Sequence, residues 1–157
     1  MTSDRRRPST ARRVLPWVAG WFALQGAGAL AGLVLARRKD EGDDSTAGIR
    51  RVRVMGGTEL HPHNPELSRV RLDLVMAGGE VDLSTLPKVP GGVDVTVRAY
   101  LAGALVRVPG DWRVWVRSEG MGGVEVDPRL ERTDDERGAD LRVHATVVAA
   151  GLSLERE

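Results

Sequence analysis

From Val14 to Ala36 the chain carries no charged side chain, and an uncharged run of that length has few ways to fold. As a helix at about 1.5 Å per residue it reaches about 34 Å, against about 30 Å of bilayer hydrocarbon. A helix also satisfies its own backbone hydrogen bonds, which lipid cannot do. Pro16 falls in the first turn, where its missing N–H breaks no helical bond. Trp17, Trp21 and Phe22 gather at one end, as amphipathic rings do at a membrane–water boundary. Arg12 and Arg13 bracket that end, and Arg37, Arg38 and Lys39 the other. A spanning helix over 14–36 is therefore expected, behind a basic tail over 1–13.

A cleaved signal segment is the main competitor, since "ALA" at Ala29–Ala31 resembles a cleavage site. The apolar run is longer than the about 7–15 residues such a segment needs, which favours the anchor. Ala19, Ala23, Ala27 and Ala31 form a small-residue ridge that would let two copies approach as a homo-oligomer. The ordinary abundance of Ala in spanning helices is the simpler account. Arg5, Arg6, Arg7, Arg12 and Arg13 outweigh the three basic residues just after the run. That asymmetry predicts a single-pass protein of the cell membrane with a cytoplasmic N-terminus and the remainder outside.

Residues 37–48, "RRKDEGDDSTAG", are charged, small and aperiodic, and read as a flexible linker. From Ile49 the texture changes to alternating Val and Leu punctuated by glycine, predicting a repetitive domain over 49–157. The copies are "MGGTEL", "MAGGEVDL", "LAGALVRV", "MGGVEV" and "AAGLSL". They align on Gly57, Gly78, Gly103, Gly123 and Gly151, at spacings of 21, 25, 20 and 28 residues. Most follow another alternating run, such as "VRLDLV" or "VDVTVRA". Period-two alternation sends one side of a strand to a core and the other to water. Repetition at this interval makes one coil one stacking unit. The expected fold is all-β: a single-stranded β-helix, or solenoid, of about five short coils, with an antiparallel sandwich as the alternative. Glycine at each corner is expected to supply a backbone angle or a close approach. The predicted core columns include Val52/Val54, Leu72/Leu74, Val81/Leu83, Val95/Val97, Val106/Val108, Val114/Val116, Val124/Val126 and Leu152/Leu154.

"VPGDWRVWV" (Val108 to Val116) and "GMGGVEVDP" (Gly120 to Pro128) resemble the C-terminal domain of LiaF-type cell-wall-active antibiotic response proteins. Val108, Pro109, Trp112 and Val114 match one motif of that family. Met121, Gly122, Gly123, Val124, Glu125 and Val126 match the other, with Met in place of an aromatic. The resemblance covers roughly Ile49 to Leu154. It implies a right-handed β-helix of the toast-rack kind, Trp112 in the core, and a role in cell-envelope stress sensing. The family usually has several spanning helices where this chain has one.

Chemistry is harder to find. The absence of Cys removes disulfides, thiolate metal sites and a cysteine nucleophile. A net charge of +1 gives no basis for nucleic-acid binding. His61 and His63 in "HPHN" lack a third ligand, and catalytic zinc usually takes three from protein. Glu59, Glu80 and Glu125 recur at one motif position and read as a solvated stripe. No glycine-rich loop joins a strand to a helix, so no nucleotide or other cofactor is expected. The reading is a non-catalytic binding or regulatory protein, with a bactofilin-like polymerising scaffold as the alternative. If Trp112 and Val114 point inward, then Arg113, Trp115 and Arg117 point outward, and Trp with Arg is a frequent contact combination. These three are the candidate contact for a protein partner.

Orientation has a direct test. A Ser45→Cys variant should react with a membrane-impermeant thiol reagent in intact cells, because five arginines precede the apolar run. Protection until lysis, with the protein full-length, would reverse the assignment.

Overall fold

The computed structural model describes residues 39–157. The basic tail, the expected spanning helix over 14–36 and the first linker residues lie outside the described residues. No helix among the described residues is long and apolar enough to cross a membrane. Among the described residues there are nine strands: β1 (Gly48–Leu60), β2 (Arg69–Asp82), β3 (Val93–Tyr100), β4 (Gly103–Val108), β5 (Arg113–Glu119), β6 (Gly123–Val126), β7 (Glu131–Arg132), β8 (Leu141–Val148) and β9 (Gly151–Arg156). They form one curled sheet in which every strand pairing is parallel, as a β-solenoid requires.

The sheet has two arms joined at a corner. β1 and β2 each run through the corner, while β3–β4, β5–β6 and β8–β9 pair up to do the same. In the first arm, Val70, Val95 and Val143 align in one column, and Leu72, Val97 and Ala145 in the next. Leu74, Ala99 and Val147 make a third. In the second arm, Val81, Val106 and Leu154 align. All of these are buried. Fully burying such a side chain is worth about 1.5–3 kcal/mol, so stacked columns are the main source of cohesion. Leu67, Leu86, Trp112 and Leu130, from the connections, close the third side of the core.

The rungs do not stack in chain order. In the first arm the sequence of neighbours is β1, β2, β3, β8, β5, and in the second β1, β2, β4, β9, β6. The chain therefore places its fourth rung, β5–β6, at the far end and returns to insert β8–β9 between it and the third. The short β7 adds to the outer side of β5 on the way back.

The five aligned glycines do form one column. Gly57 pairs with Gly78, Gly78 with Gly103, Gly103 with Gly151, and Gly151 with Gly123. Their expected role as strained corners is corrected, because none has positive φ. Around Gly78, Gly103, Gly123 and Gly151 an added Cβ would meet nothing within 4 Å. The bend belongs instead to the residue two positions earlier. Met55, Met76, Leu101 and Ala149 have φ of 65°, 50°, 49° and 47°. The β5–β6 rung turns through Gly120, at φ 105°. Gly122 is needed for a different reason: a Cβ there would lie 2.6 Å from the Ala150 carbonyl oxygen.

The first rung also differs from expectation. Val52 and Val54 are half-buried, not core. Register places Arg51 beside Leu72 and Arg53 beside Leu74, so the inward phase of β1 is Ile49, Arg51 and Arg53. The arginines are accommodated by the segment expected to be a flexible linker, which from Asp40 onward is docked. Asp40 accepts from the Val52 amide at 2.9 Å and from Arg53 at 2.7 Å. Arg51 donates to the carbonyls of Glu41 and Gly42, and Glu41 bridges antiparallel to Arg50. Asn64 donates to the Ser45 carbonyl, tying the same segment to the next connection. The result is a polar cap over the first rung. At the other end Val116, Val124 and Val126 are only partly buried, as befits terminal rungs.

Insertion puts β8–β9 inside the stack, between β3–β4 and β5–β6. A chain ending at Asp140 should lose its cooperative thermal transition, since both arms lose a middle rung. A truncated chain that melts like the full one would contradict this rung order.

Candidate functional site

The three residues singled out as a contact lie together on the outer face of the first arm, on β5. Arg113 and Arg117 are exposed and Trp115 is half-buried. Register brings Trp115 beside Arg142 and Arg117 beside His144 on β8. The Trp115 ring meets the His144 ring edge-on, with centroids 5.1 Å apart and planes at 60°. An edge-on pair of this kind is a favourable aromatic geometry. Trp115 is thus held in place by a neighbour and is not the free surface side chain that strand alternation alone implies.

The arginines around it are positioned by carboxylates. Arg142 donates to both oxygens of Asp94 at 2.6 and 3.2 Å, a bidentate pair that raises the guanidinium pKa further. Arg117 pairs with Glu119 at 3.3 Å, both well exposed, so little stability comes from it. Asp140 accepts from the Arg113 amide at 2.8 Å and from Lys88 at 3.2 Å. Burial pushes the Asp140 carboxyl up, but these donors and their charges outweigh it and hold it below its ordinary value. A carboxylate depressed on folding contributes stability above its unfolded pKa of about 3.9 and loses it as pH falls through the lower folded value.

The other sequence candidates separate from this surface. Trp112, at 1 % exposure, is core, and Pro109 beside it is buried. Gly57, Gly78, Gly103, Gly123 and Gly151 line a groove on the outer side of the second arm. Gly122 packs against β8 and the Ala150 backbone. Beyond the groove, the column reads Glu59, Glu80, Leu105, Ser153, Glu125. Glu59 and Glu80 are neighbours, and Glu80 also pairs with Arg107 at 3.1 Å, but Glu125 lies three rungs from Glu80, so the three recurring acids do not converge. His61 and His63 are both exposed. Among the described residues no group of three or more His, Asp or Glu could hold a metal ion.

Sequence reasoning missed His144 and Arg142 as neighbours of Trp115, and Asp94 as the carboxylate that holds Arg142. They arrive from β8 and β3, and nothing in the repeat spacing places β8 next to β5. No protein-family model, curated protein or solved structure matches the chain.

The two tryptophans should respond differently to truncation. Trp112→Ala should cost about 3–5 kcal/mol, as for a large aromatic removed from a core. Trp115→Ala should cost about 0.5–1.5 kcal/mol, the worth of an aromatic pair. Denaturant melts of both variants check this, and equal losses would place Trp115 in the core as well.

Proposed function

We propose that this chain is a membrane-anchored, non-catalytic binding and regulatory protein of the cell envelope, acting in stress sensing or signalling. The uncharged stretch over 14–36 supplies the anchor, and the outer face of the first arm engages a protein partner. One observation carries the second half: Trp115 is held against His144 with Arg117 and Arg142 beside it. A preordered aromatic flanked by guanidinium groups suits a partner surface bearing carboxylates, because little side-chain freedom is lost on contact. Stress sensing rests on the resemblance of "VPGDWRVWV" and "MGGVEV" to the LiaF-type domain. A curled parallel sheet agrees in kind with the β-helix which that resemblance implies, and right-handed winding is the general rule for parallel crossovers.

Polymerisation into a bactofilin-like scaffold is disfavoured by the cap over the first rung. End-to-end stacking needs open apolar columns, and here Arg51 and Arg53 occupy the inward phase under residues 40–42.

Capture by the full chain from detergent-solubilised native membranes tests the partner surface. Trp115→Ala and Arg117→Glu should each remove most of a partner recovered stoichiometrically by the wild type, with the thermal midpoint of Arg117→Glu unchanged. Full recovery by both well-folded variants would take this face out of the account.

A further inference from the structure

The corner of the solenoid combines two unfavourable features that the fold does not require. A non-glycine residue at positive φ is uncommon, and glycine would fit each corner without strain. Yet Met55, Met76, Leu101 and Ala149 occupy these positions. Three of the four are also large and apolar, and all three face solvent: Met55 is 47 %, Met76 54 % and Leu101 64 % exposed. Met121, beside the equivalent turn of the last rung, is 84 % exposed. Backbone strain of this kind concentrates at functional positions.

Met55, Met76 and Leu101 stand at the corners of three successive rungs, and Ala149 separates Leu101 from Met121. Consecutive rungs lie about 4.8 Å apart, so five corners span about 19 Å. On the first-arm side the next column is Val54, Val75, Tyr100 and Val148. Val75 and Tyr100 are well exposed, which widens the strip to two residues. On the other side comes the glycine column, which has no side chains to hold an approaching surface away. Exposed large apolar side chains gathered on one edge of a fold are the kind of patch that marks a contact surface.

The chain itself indicates what covers it. Glu41 pairs antiparallel with Arg50, and Asp40 is bonded to Val52 and Arg53, so the segment read toward its N-terminus heads for the corner. From Asp40 back to Ala36 is four residues, a reach of at most about 14 Å. Chain length alone keeps Ala36 within that reach of Asp40, which is bonded beside Val52 and Arg53. We infer that the corner strip rests in the interfacial region of a lipid bilayer, with Met55, Met76, Leu101 and Met121 inserted among the headgroups and Tyr100 beside them. This rests on the anchor reading above and adds a second attachment, which fixes how the domain stands on the membrane. Tyr100 suits such a boundary, with an apolar ring and a polar tip. Arg98, exposed one column away, and Lys39 complement anionic headgroups. The docked strip leaves Trp115 and Arg117, on the outer face of the first arm, clear of the corner.

The test uses the full chain in vesicles of phosphatidylcholine and phosphatidylglycerol. Because no cysteine is present, Leu101→Cys, Tyr100→Cys and Thr96→Cys can each carry one polarity-sensitive fluorophore. Lipids spin-labelled near the headgroup should quench the probes at 101 and 100 severalfold more than the probe at 96, with iodide showing the reverse. A Met55→Gly, Met76→Gly, Leu101→Gly chain keeps a residue suited to positive φ, so it should fold while the probe at 100 loses its lipid quenching. Unchanged quenching in that variant would overturn the inference. So would probes at 101 and 96 equally open to iodide while the protein resists alkaline extraction, with the anchor reading intact. Shielding from both quenchers, with cysteine crosslinks between copies, would assign the strip to a second chain and also overturn it. Release of the protein by alkaline carbonate would instead remove the anchor reading, and this inference with it.

Discussion

In-register parallel stacking is the constraint on which the rest of this structure depends. A parallel pair puts like positions side by side, so a residue that faces inward in one rung faces inward in all of them. Val70, Val95 and Val143 share a column for that reason, and so do Glu59, Glu80 and Glu125 on the outer side. The corner obeys the same rule. Once one rung turns through a residue at positive φ, its neighbour must turn at the same level or lose its ladder hydrogen bonds. Left-handed backbone at the same level of four neighbouring rungs is the local consequence of a global register, which leaves the residue type at each corner open.

The same constraint decides the ends. An outermost rung has a neighbour on one side only, and bare apolar columns there would invite further strands. At the N-terminal end the inward positions are arginines, satisfied by Asp40 and by the carbonyls of Glu41 and Gly42. At the other end β7 covers part of β5, and the Asp127 amide bonds back to the Leu154 carbonyl. The central position goes to β8 and β9, which follow β5 and β6 in the chain, so the stack closes only when they are in place.

Much of this was legible in the sequence, and the failures have physical causes. Alternation and the glycine column identified a parallel stack, because both are properties of a single rung repeated. "IRRVRV" carries two alternating phases, and the more apolar one, Val52 with Val54, was the wrong choice. Core patterning assumes neighbours on both sides, which the first rung lacks. Positive φ was assigned to glycine by propensity, whereas register placed it on Met, Leu and Ala two residues earlier. Rung order was not legible at all. Spacing between repeats counts residues and does not say where the next rung lands. The neighbours of Trp115 were lost with it, since His144 and Arg142 reach it only because β8 is inserted beside β5.

Rung order is also where the account is most exposed to a direct test. Thr96 on β3 aligns with His144 on β8, and His144 with Arg117 on β5, so Thr96 and Arg117 are two rungs apart. Disulfides need Cα atoms about 4.4–6.8 Å apart, which adjacent rungs provide and alternate rungs do not. Paired cysteines in this cysteine-free chain therefore read the order under mild oxidation. The account predicts an efficient crosslink for Thr96→Cys with His144→Cys and none for Thr96→Cys with Arg117→Cys. The opposite result would mean that the coils stack in chain order, and would contradict the inserted C-terminal rung.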